Sequence, residues 1–160
     1  MSPTAPSSVL PSSGRRWLIA GALMCGMSVA LGAFAAHGLG PHLEKLYGNI
    51  TKQVAGQTVP GPVKYLADFK TAAEYQMTHG LALLVVGLLA QHGTSPWISR
   101  AGWSLLGGCL LFSGSLYALV LTGVTKLGAI TPIGGVLFLF GWVCLLLAGL
   151  QVSTPPKSAA

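Results

Sequence analysis

Charged residues are scarce in this sequence, and acidic ones are the rarest. Only 8% of the 160 residues are charged, where soluble domains carry about 25%. The 3 acidic residues are outnumbered by 9 Lys and Arg, which are scattered over loops and tails and give a net charge of +6. No basic helix face or mixed basic and aromatic patch is present, so we expect no nucleic-acid partner. The basic excess instead favours contact with anionic membrane lipids.

Cysteine is also rare, and no established catalytic or metal-binding motif occurs. The 3 cysteines, Cys25, Cys109 and Cys144, lie apart in apolar stretches, which is untypical of a disulfide framework or a metal site. A zinc or iron site from histidines and Glu74, haem ligation by His37 or His79, and a Ser115–His79 nucleophile pair remain open hypotheses. Ligand spacings and a nucleophile elbow that would support them are absent. We therefore predict no enzyme, no cofactor and no catalytic or metal residue.

Long apolar segments fill most of the chain, each close to the 20 or so residues that an α-helix needs to cross a bilayer. We predict an all-α integral membrane bundle of four transmembrane helices, at about 17–36, 70–91, 101–121 and 130–150. The loop 37–69 then lies outside, and the tails 1–14 and 152–160 are disordered. The first segment also has the layout of a cleaved signal peptide, but its apolar run is longer than usual, so we expect a retained helix.

Small residues recur along one face of the first helix, at steps of three and four. They are Gly21, Cys25, Ser28, Gly32 and Ala35. Transmembrane helices associate where small residues let their backbones approach closely. We therefore expect this face to pack against a neighbouring helix, and we expect Gly32→Leu to separate the two.

Polar side chains from four segments converge on the membrane face where the first and third helices end and the second and fourth begin. The members are His37, Glu74, Tyr75, Gln76, His79, Ser113, Ser115, Tyr117, Thr131 and Pro132. Counting along the helix places His79 roughly 10 Å deep, and we expect its partner to be Ser113, Ser115 or Tyr117. The cluster is interpreted either as an interhelical hydrogen-bond network or as a functional pocket.

Four motifs within the helices resemble those of one family. They are GAFAAHG at 32–38, EYQMTH at 74–79, LFSGSLY at 111–117 and GAITPIGG at 128–135. The chain resembles domain-of-unknown-function family 423, the YgdD-like small membrane proteins, with animal transmembrane protein 256 as a relative. The resemblance implies a four-helix inner-membrane protein with a retained first helix, and it implies no activity. Residues 48–62 resemble an insertion into the family pattern.

The sequence leaves two functions open. The first is a non-enzymatic multi-pass membrane protein whose polar cluster binds a lipid, a small ligand or a protein partner. The second is a small dimeric transporter in which Glu74 or His79 couples protons, and a homo-oligomer is possible in both. Arg15, Arg16 and Arg100 lie near helix ends on the side of both termini, which favours cytoplasmic termini.

Overall fold

The structure, a computed structural model, describes residues 12–93 and 95–151. Its elements are α1 Ser12–His37, α2 Gly40–Tyr47, β1 Thr51–Val54, β2 Gln57–Pro60, α3 Gly61–His92, α4 Pro96–Gly108, a π-helical turn Cys109–Ser113, α5 Gly114–Thr122, a 3₁₀ turn Thr125–Ala129 and α6 Thr131–Leu150. Within these residues, four segments are long and apolar enough to cross a membrane: Gly14–His37, Gly61–His92, Pro96–Thr122 and Thr125–Leu150. The predicted fold class is confirmed.

The bundle has two ends, which are named here by the segments they carry. The loop end carries residues 38–60 and 123–130, where α1 and α5 finish and α3 and α6 begin. The tail end carries residues 12–16, Gly93, Ser95 and Gln151. The predicted disordered tails fall largely outside the described residues, but residues 12–14 are helical because α1 begins at Ser12.

Helices α1 and α3 pack as an antiparallel pair along a seam of glycines. A Cβ built on Gly21 would lie 2.8 Å from the backbone oxygen of Gly80, and one built on Gly14 would lie 2.8 Å from that of Gly87. The predicted small-residue face is therefore a packing face, with one exception. A Cβ on Gly32 would meet nothing within 4 Å, so the expectation that Gly32→Leu separates the helices is wrong.

Rotation about the helix axis does not explain this exception. Gly32 is turned about 40° from Ser28, whereas Cys25 is turned about 60° to the same side, and a Cβ built on Gly80 would still lie 3.2 Å from the Cys25 backbone nitrogen. A stripe of small residues therefore marks the packing side of α1, but close approach to α3 occurs at Gly14, Gly21 and Cys25 and not at the level of Gly32.

Helix α3 begins earlier than predicted. It starts at Gly61, directly after Pro60, and not near residue 70. Its 32 residues span about 48 Å at 1.5 Å per residue, well over the roughly 30 Å of bilayer hydrocarbon. The first turns of α3 therefore project beyond the membrane core, where Lys64 Nζ pairs with the Asp68 carboxylate at 2.5 Å.

The connection 37–69, predicted as a loop, is largely folded. Tyr47 of α2 is buried, stacks on Tyr65 with ring centroids 3.8 Å apart, and donates its hydroxyl to the carbonyls of Leu119 and Val120. Burial raises the pKa of the Tyr47 phenol, which keeps it a donor. The suspected insertion forms an exposed hairpin, in which β1 and β2 pair antiparallel with Thr51 opposite Pro60.

The third membrane segment consists of α4, the π-helical turn and α5. Helix α6 packs along α4, and the contact is close at two glycines. A Cβ on Gly141 would lie 2.8 Å from Leu105, while one on Gly108 would overlap the ring of Phe138. Trp17 of α1 fills the space above Gly102, which joins α1 to α4 at the tail end.

Candidate functional site

Gln76, from the predicted cluster, fastens α3 to α1. Its Nε2 donates a hydrogen bond of 2.9 Å to the backbone oxygen of Met24, and its side chain is buried. One turn away along the same seam, Ser28 Oγ donates to the Ala73 carbonyl at 2.7 Å. An amide at this depth needs a partner because hydrocarbon offers none. Gln76 is therefore an interhelical clamp that points away from the other members of the cluster.

His79 faces α6 and forms hydrogen bonds through both ring nitrogens. Its Nδ1 lies 2.7 Å from the Tyr75 backbone oxygen, and the Trp142 Nε1–H lies 3.2 Å from its Nε2. A carbonyl only accepts and an indole N–H only donates, so His79 is the neutral tautomer with its proton on Nδ1. The imidazole also stacks on Phe138, with ring centroids 3.4 Å apart and an angle of 9° between the planes.

The partner of His79 differs from the prediction. Ser113, Ser115 and Tyr117 were expected to meet it, but its interhelical bond goes to Trp142, on the fourth membrane segment. The reason is rotational: counting residues gives the depth of a side chain, whereas its direction depends on how the helices are turned. Ser115 Oγ is instead bound to Thr131 Oγ1 at 2.8 Å and to the Phe112 carbonyl at 3.1 Å.

Two cluster hydroxyls are buried without a hydrogen bond. Ser113 Oγ and the Tyr117 hydroxyl have no partner among the described residues. Ser113 is the last residue of the π-helical turn, and Tyr117 lies four residues later in α5. Tyr117 packs its ring against Phe69, with centroids 4.7 Å apart. The two buried hydroxyls therefore lie on either side of the start of α5.

The remaining members of the cluster lie at its surface. His37 and Glu74 are exposed, Pro132 occupies the first turn of α6 and is exposed, and Tyr75 is 43% exposed. The ten residues therefore do not form one pocket. They divide into separate bonds between helix pairs: α1 with α3, α3 with α6, and α5 with α6.

A cleft between α3 and α6 was missed by the sequence reasoning. It has a volume of about 490 Å³ and is lined by Tyr75, Thr78, His79, Phe112, Gly135, Phe138, Leu139 and Trp142. Tyr75 stacks on Phe112 with centroids 4.5 Å apart, so aromatic rings form its walls. Leu139 is 69% and Trp142 45% exposed, so the cleft opens sideways toward the bilayer. The available signal was Trp142, the single indole in the middle of an otherwise apolar segment.

Metal-ligating side chains do not gather in the part of the chain that the structure describes. Within it, no three His, Cys, Asp or Glu residues come close enough to hold an ion. Cys25, Cys109 and Cys144 are free thiols. Ser115 and His79 both use their polar atoms in other bonds, so the hypothetical nucleophile pair is not formed.

Comparisons with known proteins agree with this architecture. The family model described as "Protein of unknown function (DUF423)" matches residues 31–135. A UPF0382 membrane protein of Staphylococcus epidermidis is 46% identical over 135 residues, covering 84% of this chain and 95% of that protein. The UPF0382 membrane protein YwdK of Bacillus subtilis is 39% identical over 136 residues, covering 84% and 96%. No solved structure matches the chain.

Proposed function

This chain belongs to the DUF423 family of membrane proteins, and we propose that it acts in the cell membrane as a non-enzymatic multi-pass protein that binds a lipid in the cleft between α3 and α6. The cleft carries the proposal: it is about 490 Å³ in volume, and side chains half-exposed to the bilayer form its mouth. A lipid is the molecule that surrounds such an opening at high concentration.

The walls of the cleft favour the acyl chain of that lipid over a polar ligand. Most polar atoms there are already bound within the protein, because His79 uses both nitrogens and Thr78 donates its hydroxyl to the Glu74 carbonyl at 2.9 Å. What remains for an occupant is the Tyr75 hydroxyl, the faces of aromatic rings and the open surface at Gly135. These surfaces offer dispersion contacts to a hydrocarbon chain.

The alternative of a proton-coupled transporter has less support. A proton relay through His79 would need a nitrogen free to exchange its proton, and both are held by neighbouring groups. Glu74 is exposed on α3 and forms no ion pair within the described residues. The geometry thus favours a fixed packing role for His79 beside an occupied cleft.

Filling the cleft tests the proposal. The Gly135→Leu substitution adds a side chain where a Cβ would meet only Phe112 Cδ2, at 4.0 Å, so the bundle should fold with the cleft occupied. We expect lipid photo-crosslinking to Tyr75 and Trp142 peptides to fall by roughly tenfold, the scale expected from losing about 1.4 kcal/mol of contacts. The measurement is mass spectrometry of protein reconstituted with a diazirine-labelled acyl-chain lipid.

Gly26→Leu is the matched control. It adds the same side chain to α1 at a lipid-exposed glycine where a Cβ meets nothing within 4 Å, and it should leave crosslinking unchanged. Equal crosslinking in both variants would contradict lipid binding in the cleft. Another outcome is a dimer without bound lipid in native mass spectrometry. If the cleft is also protected from crosslinking in that dimer, its occupant is a second copy of the chain and not a lipid.

Orientation forms a second part of the proposal, with both termini in the cytoplasm and the loop end outside. In a cysteine-free background, Thr58→Cys marks the exposed hairpin and Gly93→Cys marks the tail end. We expect a membrane-impermeant maleimide on intact cells to label Thr58→Cys alone, because Arg15, Arg16 and Arg100 flank the tail end. Exclusive labelling of Gly93→Cys would reverse the orientation.

A further inference from the structure

A small pocket at the tail end combines an apolar floor with a cationic rim. It has a volume of about 180 Å³ and is lined by Arg16, Trp17, Ala90, Gly93, Ser95, Ile98 and Ser99. These residues come from the start of α1, the end of α3 and the start of α4, so three membrane segments meet around it. Trp17 and Ile98 supply the floor, while Arg16 and Ser99 supply donors at the rim.

The guanidinium of Arg16 is held in place by two indole rings. Its Cζ lies 4.8 Å from the ring centroid of Trp17 and 5.9 Å from that of Trp103, and the two rings are edge to face at 5.2 Å. Stacking engages the face of a guanidinium and leaves its in-plane N–H donors available. Arg16 makes no ion pair or hydrogen bond within residues 12–93 and 95–151.

No acidic side chain lies at this end of the bundle. The 3 acidic residues of the chain are Glu44, Asp68 and Glu74, in α2 and the first half of α3, toward the loop end. The tail end carries Arg15, Arg16 and Arg100, and Arg100 stacks on Trp97 at 4.7 Å. No acidic side chain is therefore placed to act as the counter-ion of this arginine group.

Tryptophan rings of this kind lie at the level of lipid headgroups, where phosphate is the abundant anion. We propose that the tail-end pocket binds an anionic phospholipid, with the phosphate on Arg16 and the Ser99 hydroxyl and the upper acyl chain over Trp17 and Ile98. The planar fork of Arg16 matches two phosphate oxygens. This site meets the end of α3 at Ala90, whereas the cleft meets the middle of α3 at Tyr75, Thr78 and His79, and the two share no residue.

Two single substitutions, each of which removes one positive charge, distinguish a specific lipid site from general electrostatic attraction of anionic lipid to the tail end. Arg16→Gln removes the cationic fork at the rim, whereas Arg15→Gln removes the neighbouring exposed charge, which does not line the pocket. Binding of short-chain phosphatidylglycerol to protein in neutral detergent, followed by native mass spectrometry, should weaken about tenfold in Arg16→Gln, the scale of one charge-assisted hydrogen bond. Arg15→Gln should change it less than about twofold, and thermal unfolding should show both variants folded.

Further binding measurements test whether the bound phosphate belongs to a lipid or to free inorganic phosphate. Phosphatidylcholine should bind distinctly more weakly than phosphatidylglycerol, and millimolar inorganic phosphate should not displace the lipid. Equal weakening by both arginine variants, or equal binding of the two lipids, would overturn the site. Displacement by inorganic phosphate would overturn the lipid as its source. Gly135→Leu should leave this binding unchanged, so failure of the cleft proposal and failure of this one are distinguishable.

Discussion

The Gly134→Ala substitution is expected to lower the free energy of unfolding by about 3 kcal/mol, at the upper end of the range for overpacking. A Cβ on Gly134 would overlap the backbone nitrogen of Phe112 and would lie 2.7 Å from its Cβ and 2.8 Å from its Cα. Phe112 belongs to the π-helical turn, and its backbone cannot rotate aside as a flexible side chain would. Helix α6 would have to move away from the third membrane segment.

The adjacent glycine provides the control. A Cβ on Gly135 would have its nearest neighbour at 4.0 Å, and alanine is the better helix former. Gly135→Ala should therefore be neutral or stabilising, opposite in sign to Gly134→Ala. Unfolding in detergent, followed by circular dichroism, measures both. Similar unfolding midpoints for the two variants would show that α6 does not pack on Phe112 as described.

Removing the hydrogen bond between His79 and Trp142 is expected to lower the free energy of unfolding by about 2 kcal/mol, because one buried polar atom loses its partner. Trp142→Phe keeps an aromatic ring but deletes the N–H that meets His79 Nε2 at 3.2 Å. His79→Phe deletes the acceptor and keeps a ring that can stack on Phe138. In the double variant the losses should overlap, with a coupling of about 1 kcal/mol.

Ser115→Ala distinguishes this pairing from the one expected from sequence. Ser115 is bound to Thr131 and to the Phe112 carbonyl, so its effect should add to that of His79→Phe. The same unfolding assay measures all of these variants. Coupling of His79 with Ser115, together with additivity of His79 with Trp142, would contradict the observed geometry and support the sequence-based pairing.

The fold could be predicted from the sequence because few backbone structures are stable in the hydrocarbon of a bilayer. Segments of about 20 apolar residues must cross as helices with their backbone bonds satisfied internally, and four such segments gave the bundle. The first residue of α3 could not be predicted in the same way. Residues 61–69 begin with Gly61 and Pro62 and contain the charged Lys64 and Asp68, so they lie outside the apolar run from which the membrane helix was predicted. They are helical, and Tyr65 and Phe69 pack against α2 and α5.

The candidate site was predicted less well, because depth follows from counting and direction does not. Gln76 and His79 are three residues apart and were expected to share one pocket. They bond in different directions, to Met24 of α1 and to Trp142 of α6. The rings that line the cleft, Phe112 and Phe138, also resemble ordinary lipid-facing residues in the sequence.

The π-helical turn Cys109–Ser113 acts as an angular offset within the third membrane segment. A π-bulge amounts to one additional residue in a helix, and each residue of an α-helix advances the side chains by about 100°. The turn absorbs that residue, so α5 keeps nearly the direction it would have in an uninterrupted helix one residue shorter. Straightening the turn into regular α-helix at unchanged length would instead turn the side chains of α5 by about 100° relative to α4. Ser115 would then leave Thr131, and Tyr117 would leave Phe69. The motif LFSGSLY thus encodes a phase as well as a set of side chains.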